Sequence, residues 1–505
     1  MALLLSALVF SLVDFEGFHA AASDANQWIL RHFDWLFSYA SFAAVGLVVW
    51  VVFSPLGKVR IGGPDAKPIL NRWSWFSITL CTTIAIGILF WGAAEPMFHI
   101  KAPPSFAHAA PYSEKAQLFA LSSLYMHWTI TPYAIYTVPA LAFALAHYNL
   151  GRPYSISGPL SVVFGKAATG RAGALVDALG LYALVAGVAA ALGAGVMTLS
   201  GGIEAVAGIY DSLNLRFCVT ALIVIAFIAS SVSGLHRGIK HLSDINARFF
   251  FVLMVFVFIA GPTRDILILG VKSLGDYAAS FIPRSLALGE RDGDEWTRDW
   301  TVFYFANWLA WAPVTALFLG RIAFGYTVRE FVLFNLAAPA FFGGAWMAVF
   351  GGAAISLDAQ AGHAFVAALE GGGPEAVIYS MFNALPFSQL LTLLFIVLTF
   401  ISFVTAMDSN TVSISNICLK ETTPGKKHPQ AERWMKIFWG MLIGAVSFVM
   451  TATTGIDGVR MLSNLGGLPG LFILIAMGGV IISLRLNWLD VLRVAPGDDP
   501  AGRGR

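Results

Sequence analysis

Residues 300–313 read WTVFYFANWLAWAP and lie in an apolar run long enough to cross a bilayer as one helix. Trp308 and Trp311 are three residues apart, which places both side chains on one face of that helix. A second apolar run contains residues 127–136, HWTITPYAIY, where Pro132 interrupts another aromatic stripe. The two stripes predict membrane helices that present aromatic rings to a common interior.

The composition of the 505 residues is that of a polytopic, all-α membrane protein. Hydrophobic residues make up 57% of the chain and charged residues 12%, whereas a soluble domain carries about 25% charged residues. The net charge of +2 argues against nucleic acid as a partner and leaves the lipid bilayer. Twelve apolar runs are long enough to span it, near residues 2–19, 36–54, 73–95, 116–147, 172–206, 217–234, 244–262, 298–321, 328–354, 387–418, 434–453 and 460–484.

Basic residues cluster in alternate connections, beginning with the one after the second predicted span. Because lysine and arginine mark cytoplasmic loops, we expect a multi-pass protein of the plasma (inner) membrane with both termini cytoplasmic. Residues 1–54 predict two peripheral N-terminal helices, and residues 486–505 a short cytoplasmic tail. Residues 264–297 are too polar to span and predict an amphipathic helix along the outer face.

The sequence predicts no cofactor and no metal site. It has no phosphate-binding loop and no Gly-x-Gly-x-x-Gly after a strand, so transport driven by ATP hydrolysis within this chain is excluded. His127 stands alone beside Trp128, and no span carries the paired histidines of an intramembrane enzyme. The chain is therefore predicted not to be an enzyme.

Several segments, in this order, resemble the betaine/carnitine/choline transporter family over about residues 36–484. They are residues 87–96 (GILFWGAAEP), 127–136, 243–246 (SDIN), 261–263 (GPT), 300–313, 321–330 and 405–409 (TAMDS). The resemblance implies twelve helices, ten of them in two LeuT-like inverted five-helix repeats over residues 72–262 and 298–485. It also implies a homotrimer and a substrate site near the bilayer midplane, beside broken helices.

The family's aromatic box falls on Trp128, Tyr133, Tyr136, Trp308 and Trp311. The residues support this independently, because aromatic faces hold a quaternary ammonium group, which has no N–H to donate. The alternative is that these rings are interfacial belt residues. The family usually has Trp where this chain has Tyr133.

Asn307 stands where relatives often have another Trp. Its amide would recognise a substrate hydroxyl or carboxylate, or else bond a neighbouring helix.

The third span of the family carries Gly-x-Gly-x-Gly, and here the stretch reads Thr83-Ile-Ala85-Ile-Gly87. By resemblance, Ala85 and Gly87 adjoin the substrate. Choline-transporting relatives have an acidic residue at the position of Gly87, and no acidic residue precedes Glu95 in this span. A zwitterion is therefore favoured over choline. Glu95 is expected to make a structural hydrogen bond or an outer-gate contact, with a proton carrier as the less favoured alternative.

Sodium-coupled relatives bind the ion through carbonyls at the positions of Cys81 and Ile84 and through two adjacent hydroxyls, here Thr405 and Ala406. A second site uses two threonines whose positions align with Leu184 and Val188. Both sites are depleted of oxygen ligands, since Ala406, Leu184 and Val188 carry none, and this resembles the sodium-independent branch of the family, where fixed side chains stand in for the ion. Arg248 is one such candidate, with a snorkelling interfacial arginine as an equal alternative.

The sequence thus predicts a secondary transporter of a zwitterionic quaternary ammonium or dimethylsulfonium compound, such as glycine betaine or carnitine. Transport is predicted to proceed by alternating access. It is predicted to be independent of sodium and to be driven by substrate exchange or by coupling to protons. The alternatives are a sodium-coupled betaine or choline symporter and, more remotely, a transporter-like receptor.

Overall fold

The computed structural model describes residues 2–83, 85–168, 170–233, 236–287, 295–418 and 429–492, and these are almost entirely helical. The helices are α1 (Ala2–Val13), α2 (Phe15–Phe53), α3 (Arg72–Thr83), α4 (Ala85–Lys101), α5 (Glu114–Trp128), α6 (Ile130–Tyr148), α7 (Ser161–Phe164), α8 (Gly170–Ala207), α9 (Leu213–Ser233), α10 (His236–Ala260), α11 (Thr263–Ser285), α12 (Phe303–Ile322), α13 (Val328–Val332), α14 (Ala338–Gln360), α15 (Ala364–Gly372), α16 (Pro374–Asn383), α17 (Ser388–Cys418), α18 (Pro429–Thr454), α19 (Ile456–Leu486) and α20 (Trp488–Leu492). Short 3-10 turns cover Pro55–Lys58, Ser105–Ala107 and Gly165–Ala168, and π-helical turns cover Thr297–Val302 and Leu333–Ala337.

Eleven of the described helical stretches are long and apolar enough to cross a membrane, or twelve if the bent pair α3–α4 counts as one span. The predicted multi-pass, all-α architecture is confirmed. The predicted span over residues 2–19 is wrong in its bounds, because α1 has only 12 residues. At 1.5 Å per residue it is about 18 Å long, against a hydrocarbon core of about 30 Å.

The helix that follows α1 has 39 residues and covers the predicted second span. Asp14 separates the two, because its side chain accepts a hydrogen bond from the backbone N–H of Gly17 and caps α2. The predicted cytoplasmic N-terminus depended on a span over residues 2–19, so that part of the topology loses its basis.

The helix predicted over residues 264–297 is present as α11. By length and composition it is a candidate membrane span, contrary to what its polarity led us to expect. Its contacts nevertheless run along α5, where Lys272 pairs with Glu114 at 2.7 Å and Gly270 O accepts from Tyr125. Its position on the outer face stays a prediction.

The central spans are α5–α6 and α12. About 94% and 89% of their most apolar windows are buried within the protein, against 28–61% for the other spans. Helix α12 packs mainly against α19, α6 and α8. Small residues allow this close approach, because Gly467 and Gly470 of α19 lie directly on the α12 backbone, while Gly466 packs against α8 and the side chain of Ala310.

Two spans are broken in the middle, and both breaks adjoin the centre of the bundle. The helical stretches Arg72–Thr83 and Gly87–Lys101 are bent by 56° relative to each other. Helices α5 and α6 meet at Thr129, whose φ and ψ of −118° and −112° are not helical. Pro132 explains this second break, because it has no N–H to donate to the carbonyl of Trp128. The breaks leave backbone groups and aromatic side chains facing each other at the centre.

Candidate functional site

An aromatic cage lies between α6 and α12, centred on Trp308. The Trp308 ring contacts Trp128 and Tyr136, each at 5.4 Å between centroids, and Tyr133 at 5.9 Å. The indole of Trp308 is only 2% exposed. The structure therefore brings together four of the five residues predicted for the aromatic box, and the fifth, Trp311, lines the cavity beside them.

The cage encloses a cavity of about 50 Å³. Its wall is made of Cys81, Thr82, Thr83, Gly87, Trp91, Trp128, Tyr136, Ala191, Ala194, Phe303, Asn307, Trp308, Trp311, Ala406 and Val459. Tyr133 is not part of this wall and lies behind Trp308. Of the predicted residues in the third span, Gly87 lines the cavity, while Ile84 and the side chain of Ala85 lie outside the described part of the chain.

Both tryptophans of the cage are anchored through their indole N–H groups. Trp308 Nε1 donates to the carbonyl of His127 at 3.1 Å. That carbonyl is near the end of α5, where helix geometry leaves carbonyls without intrahelical partners. Trp128 Nε1 donates to Glu95 Oε2 at 2.9 Å. With their N–H groups used in this way, the rings contribute only their faces and edges to the cavity.

Trp91 and Phe303 belong to the site although the sequence analysis did not select them. Trp91 contacts Phe303 at 5.9 Å and Tyr304 at 5.6 Å. The available signal was its spacing, because Trp91 is four residues after Gly87 and therefore on the same face of α4. Phe303 also lines a second cavity, of about 400 Å³, whose other walls include His19, Asn26, Arg298, Asp299, Asp457 and Arg460.

Asn307 lines the cavity and also bonds a neighbouring helix. Its Oδ1 accepts from Ser463 Oγ of α19 at 3.1 Å. The bond to a neighbouring helix is therefore present, and recognition of a substrate by this amide stays a prediction. Because Oδ1 is the acceptor, the amide NH₂ group is the part that remains to donate to a substrate carboxylate.

Gly87 packs directly against the Trp128 ring, so a substitution at this position tests the cage. A Cβ at residue 87 would lie 2.4 Å from Cη2 of Trp128, so Gly87→Ala displaces that indole. We expect substrate Kd to rise by roughly five- to tenfold, the loss of one aromatic face at about 1 kcal/mol. Titrating intrinsic tryptophan fluorescence with substrate measures this. The control is Gly46→Ala, whose Cβ has no neighbour within 4 Å, and equal affinities in the two variants would contradict the prediction.

Behind the cage lies a polar cluster of Glu95, His99 and His127, all fully buried. Glu95 Oε1 lies 2.6 Å from His127 Nδ1 and 3.3 Å from His99 Nε2. The expectation that His127 stands alone is therefore wrong. Part of the cluster was readable in the sequence, because Glu95 and His99 are four residues apart on one helix face. Nothing in the sequence indicated that α5 would add His127.

The spacing of this cluster would allow a metal ion. Among the His, Cys, Asp and Glu side chains of the described residues, these three offer ligand atoms that all lie within 4.8 Å of one another. The hydrogen bonds do not fit a metal. Trp296 Nε1 donates to His99 Nδ1 at 3.2 Å, so the proton of neutral His99 is on Nε2, which faces Glu95. A metal would need Nε2 unprotonated and Nδ1–H facing an acceptor, whereas Trp296 Nε1 can only donate. The cluster is a hydrogen-bonded group and not a metal centre.

Three of the positions aligned with sodium ligands carry apolar side chains, and at the fourth the Thr405 hydroxyl donates its proton within its own helix. Thr405 Oγ1 donates to the carbonyls of Ile401 and Ser402 at 3.0 Å. Leu184 and Val188 are fully buried and apolar. Cys81 lines the cavity, and Ala406, where relatives have a hydroxyl, lines it as well.

Arg248 lies on the exposed surface of α10. This position disagrees with a surrogate charge in the site and agrees with the alternative, an interfacial arginine. Asn246, two residues earlier, points inward instead, and its Nδ2 donates to Ser402 Oγ at 3.0 Å. We therefore do not propose Arg248 as a site residue.

A multi-pass helical membrane protein with a buried aromatic cage between broken helices has the architecture of a small-molecule transporter. The chain belongs to the betaine/carnitine/choline transporter family, whose model matches residues 1–486. It is 32% identical over 460 residues to an ectoine/hydroxyectoine transporter of Virgibacillus pantothenticus, covering 91% of this chain and 90% of the relative. It is 33% identical over 467 residues to glycine betaine transporter 1 of Vibrio parahaemolyticus, covering 90% and 86%.

A solved structure of a Na⁺-coupled sialic acid symporter aligns over 87% of this chain and 85% of that chain, with 12% identity and a TM-score of 0.42. The suspected family is confirmed. It is a family of transporters, and the prediction that the chain is not an enzyme is confirmed with it.

Proposed function

We propose that this protein transports a compact zwitterion with a methylated onium group, such as glycine betaine or carnitine, by alternating access. The observation that supports this most is the Trp308 cage with Asn307 at its edge. The aromatic faces suit the cationic group, and the amide N–H groups suit the carboxylate. The substrates named for the two relatives, ectoine and glycine betaine, likewise pair a cationic group with a carboxylate.

We further propose that transport does not depend on sodium. A sodium site needs several oxygen ligands around a compact volume. Leu184, Val188 and Ala406 offer no side-chain oxygen at three of the positions aligned with sodium ligands, and the nearby Ser402 Oγ already accepts from Asn246 Nδ2 at 3.0 Å. Exchange of substrates or linkage to protons then drives accumulation.

The protein is proposed to lie in the plasma membrane as a homotrimer, as the family pattern implies. The distribution of basic residues supports a cytoplasmic C-terminus. Chemical crosslinking in membranes tests the trimer. We expect bands of one, two and three subunits and none larger.

Uptake into proteoliposomes tests the proposed function. Labelled glycine betaine and labelled carnitine are offered with and without a sodium gradient, to vesicles that are empty or preloaded with unlabelled substrate. We expect preloading to raise the initial rate several-fold and sodium to leave it unchanged. A requirement for sodium would contradict the second proposal while leaving the cage intact. Binding without accumulation under every condition would indicate a receptor.

A further inference from the structure

We propose that Glu95 and His127 form a proton-binding site whose proton competes with the cationic group of the substrate. This inference rests on the proposed function, because it assumes that the cage holds a cation. It assigns the buried cluster behind the cage a role in coupling: the proton on His127 leaves for water as the cation enters. The following observations carry it.

The pair is in direct contact with the cage on two sides. Glu95 Oε2 accepts from the indole of Trp128, whose ring forms one wall of the cavity. The backbone carbonyl of His127 accepts from the indole of Trp308, which forms another wall. One indole ring therefore separates the Glu95 carboxylate from a cation in the cavity. In a site without bulk water, charges at such a distance interact strongly.

His99 is not the group that changes protonation. Its Nδ1 accepts from Trp296, so its single ring proton is on Nε2 and is donated to Glu95. A second proton would have to sit on Nδ1, facing the N–H of Trp296. His99 thus stays neutral.

His127 is free of this restriction. Its Nδ1 lies 2.6 Å from Glu95 Oε1, and its Nε2 lies 3.0 Å from Thr301 Oγ1. The Thr301 hydroxyl can donate to an unprotonated Nε2 or accept from a protonated one. Both charge states of His127 therefore keep every hydrogen bond. The ring is also stacked on Tyr304 at 4.6 Å, an arrangement that suits an imidazolium.

The surrounding charges leave room for one more cation near Glu95. Arg284 of α11 is engaged by the hydroxyls of Ser122 and Ser123, at 2.8 and 2.6 Å. The other ionisable or charged groups packed around the cluster are Tyr304 of α12, Tyr277 and Asp276 of α11, Arg298 of the π-helical turn with its partner Asp34 of α2, and Arg460 of α19, which lies over the Trp300 ring at 4.7 Å. Arg298 is paired with Asp34, whereas Arg284, which lies over the Trp296 ring, also interacts electrostatically with Glu95, His99 and His127.

A buried carboxylate is costly without a nearby positive charge. Besides Arg284, a proton on His127 or an onium group in the cage supplies such a charge, and these two positive charges would lie close to each other. Binding of the two is therefore mutually unfavourable, and linkage requires each to weaken the other by the same factor. A bare cation such as choline feels the full effect, whereas the carboxylate of glycine betaine partly offsets it.

The proton site is tested first without substrate, on the purified full-length protein. Tryptophan fluorescence is followed from pH 5 to pH 9, because protonation next to Trp128 quenches its emission. We expect a one-proton transition that is lost in His127→Gln and in Glu95→Gln. The matched control is His363→Gln, since His363 also pairs with a carboxylate, Asp358 at 2.8 Å, but is partly exposed and does not line the cavity, and this variant keeps the transition. A wild-type profile without a transition, or one abolished by a chelator, would overturn the proposal.

Competition is tested by the dependence of Kd on pH for glycine betaine and for choline. On the acid side of the transition, we expect Kd to fall by up to tenfold per pH unit as pH rises, more steeply for choline. Calorimetry in buffers of different ionisation enthalpy should show release of up to one proton per choline bound. Binding with no proton release and a flat Kd would overturn the competition. If neither compound binds at any pH but the fluorescence transition is present, the proposed substrate fails and the proton site stands.

Discussion

Replacing Trp308 by leucine is expected to raise the substrate Kd at least about tenfold while the protein still assembles. The Trp308 ring touches Trp128, Tyr133 and Tyr136 at once. A leucine removes a cation–π face worth about 1–2 kcal/mol and also the bond that holds the indole to the carbonyl of His127. Each 1.4 kcal/mol corresponds to a tenfold change in Kd, so the loss of this one ring is enough to abolish high-affinity binding.

Two further variants make the test specific. Trp308→Phe keeps an aromatic face without the N–H and should have an affinity between those of the wild type and the leucine variant. Trp434→Leu removes an indole that is 65% exposed on α18 and should bind like the wild type. Fluorescence or calorimetric titration, with size-exclusion profiles to confirm assembly, measures all three. Wild-type affinity in Trp308→Leu would remove the cage from the account.

Replacing Gly470 by alanine is expected to destabilise the whole bundle. The new Cβ would lie 2.1 Å from the carbonyl oxygen of Leu309, a backbone atom that cannot move aside without moving α12. Overpacking of this kind typically costs about 1–3 kcal/mol. Because Leu309 follows Trp308, the displacement also opens the cage, so transport should fall together with the midpoint of thermal unfolding.

Gly479→Ala is the matched control on the same helix. Its Cβ has no neighbour within 4 Å, so only the intrinsic preference of alanine for helices remains, worth up to about 1 kcal/mol in favour of folding. The unfolding midpoint of the control should therefore equal or exceed that of the wild type. If both variants unfold at the wild-type midpoint, the α12–α19 contact is not as tight as the structure indicates.

The sequence predicts those parts of the site that lie on one helix. Trp308 and Trp311 were selected because helical spacing puts them on one face, and both line the cavity. The same rule, applied from Gly87, would have found Trp91. Hydrogen bonds between side chains of different spans leave no such signal in the sequence. Glu95 and His127 are 32 residues apart on different helices, and their 2.6 Å contact follows from the packing of α4 against α5.

The fold shows the same division between local and non-local information. Apolar runs predict most of the spans, because hydrocarbon thickness fixes their length. The N-terminal boundary was missed because apolar residues were counted and Asp14, a capping residue, was not. Arg248 lies away from the site for a comparable reason. Its position in the chain suggested a place in the site, but the rotation of α10 about its axis exposes Arg248 and turns Asn246 inward.

Phe303 belongs to the walls of two cavities, a small aromatic one and a larger polar one. The Phe303 side chain therefore takes part in both the aromatic cavity and the polar one. A rotamer change of this ring, which is faster than a displacement of whole helices, would alter the shape of both cavities without a change in the backbone.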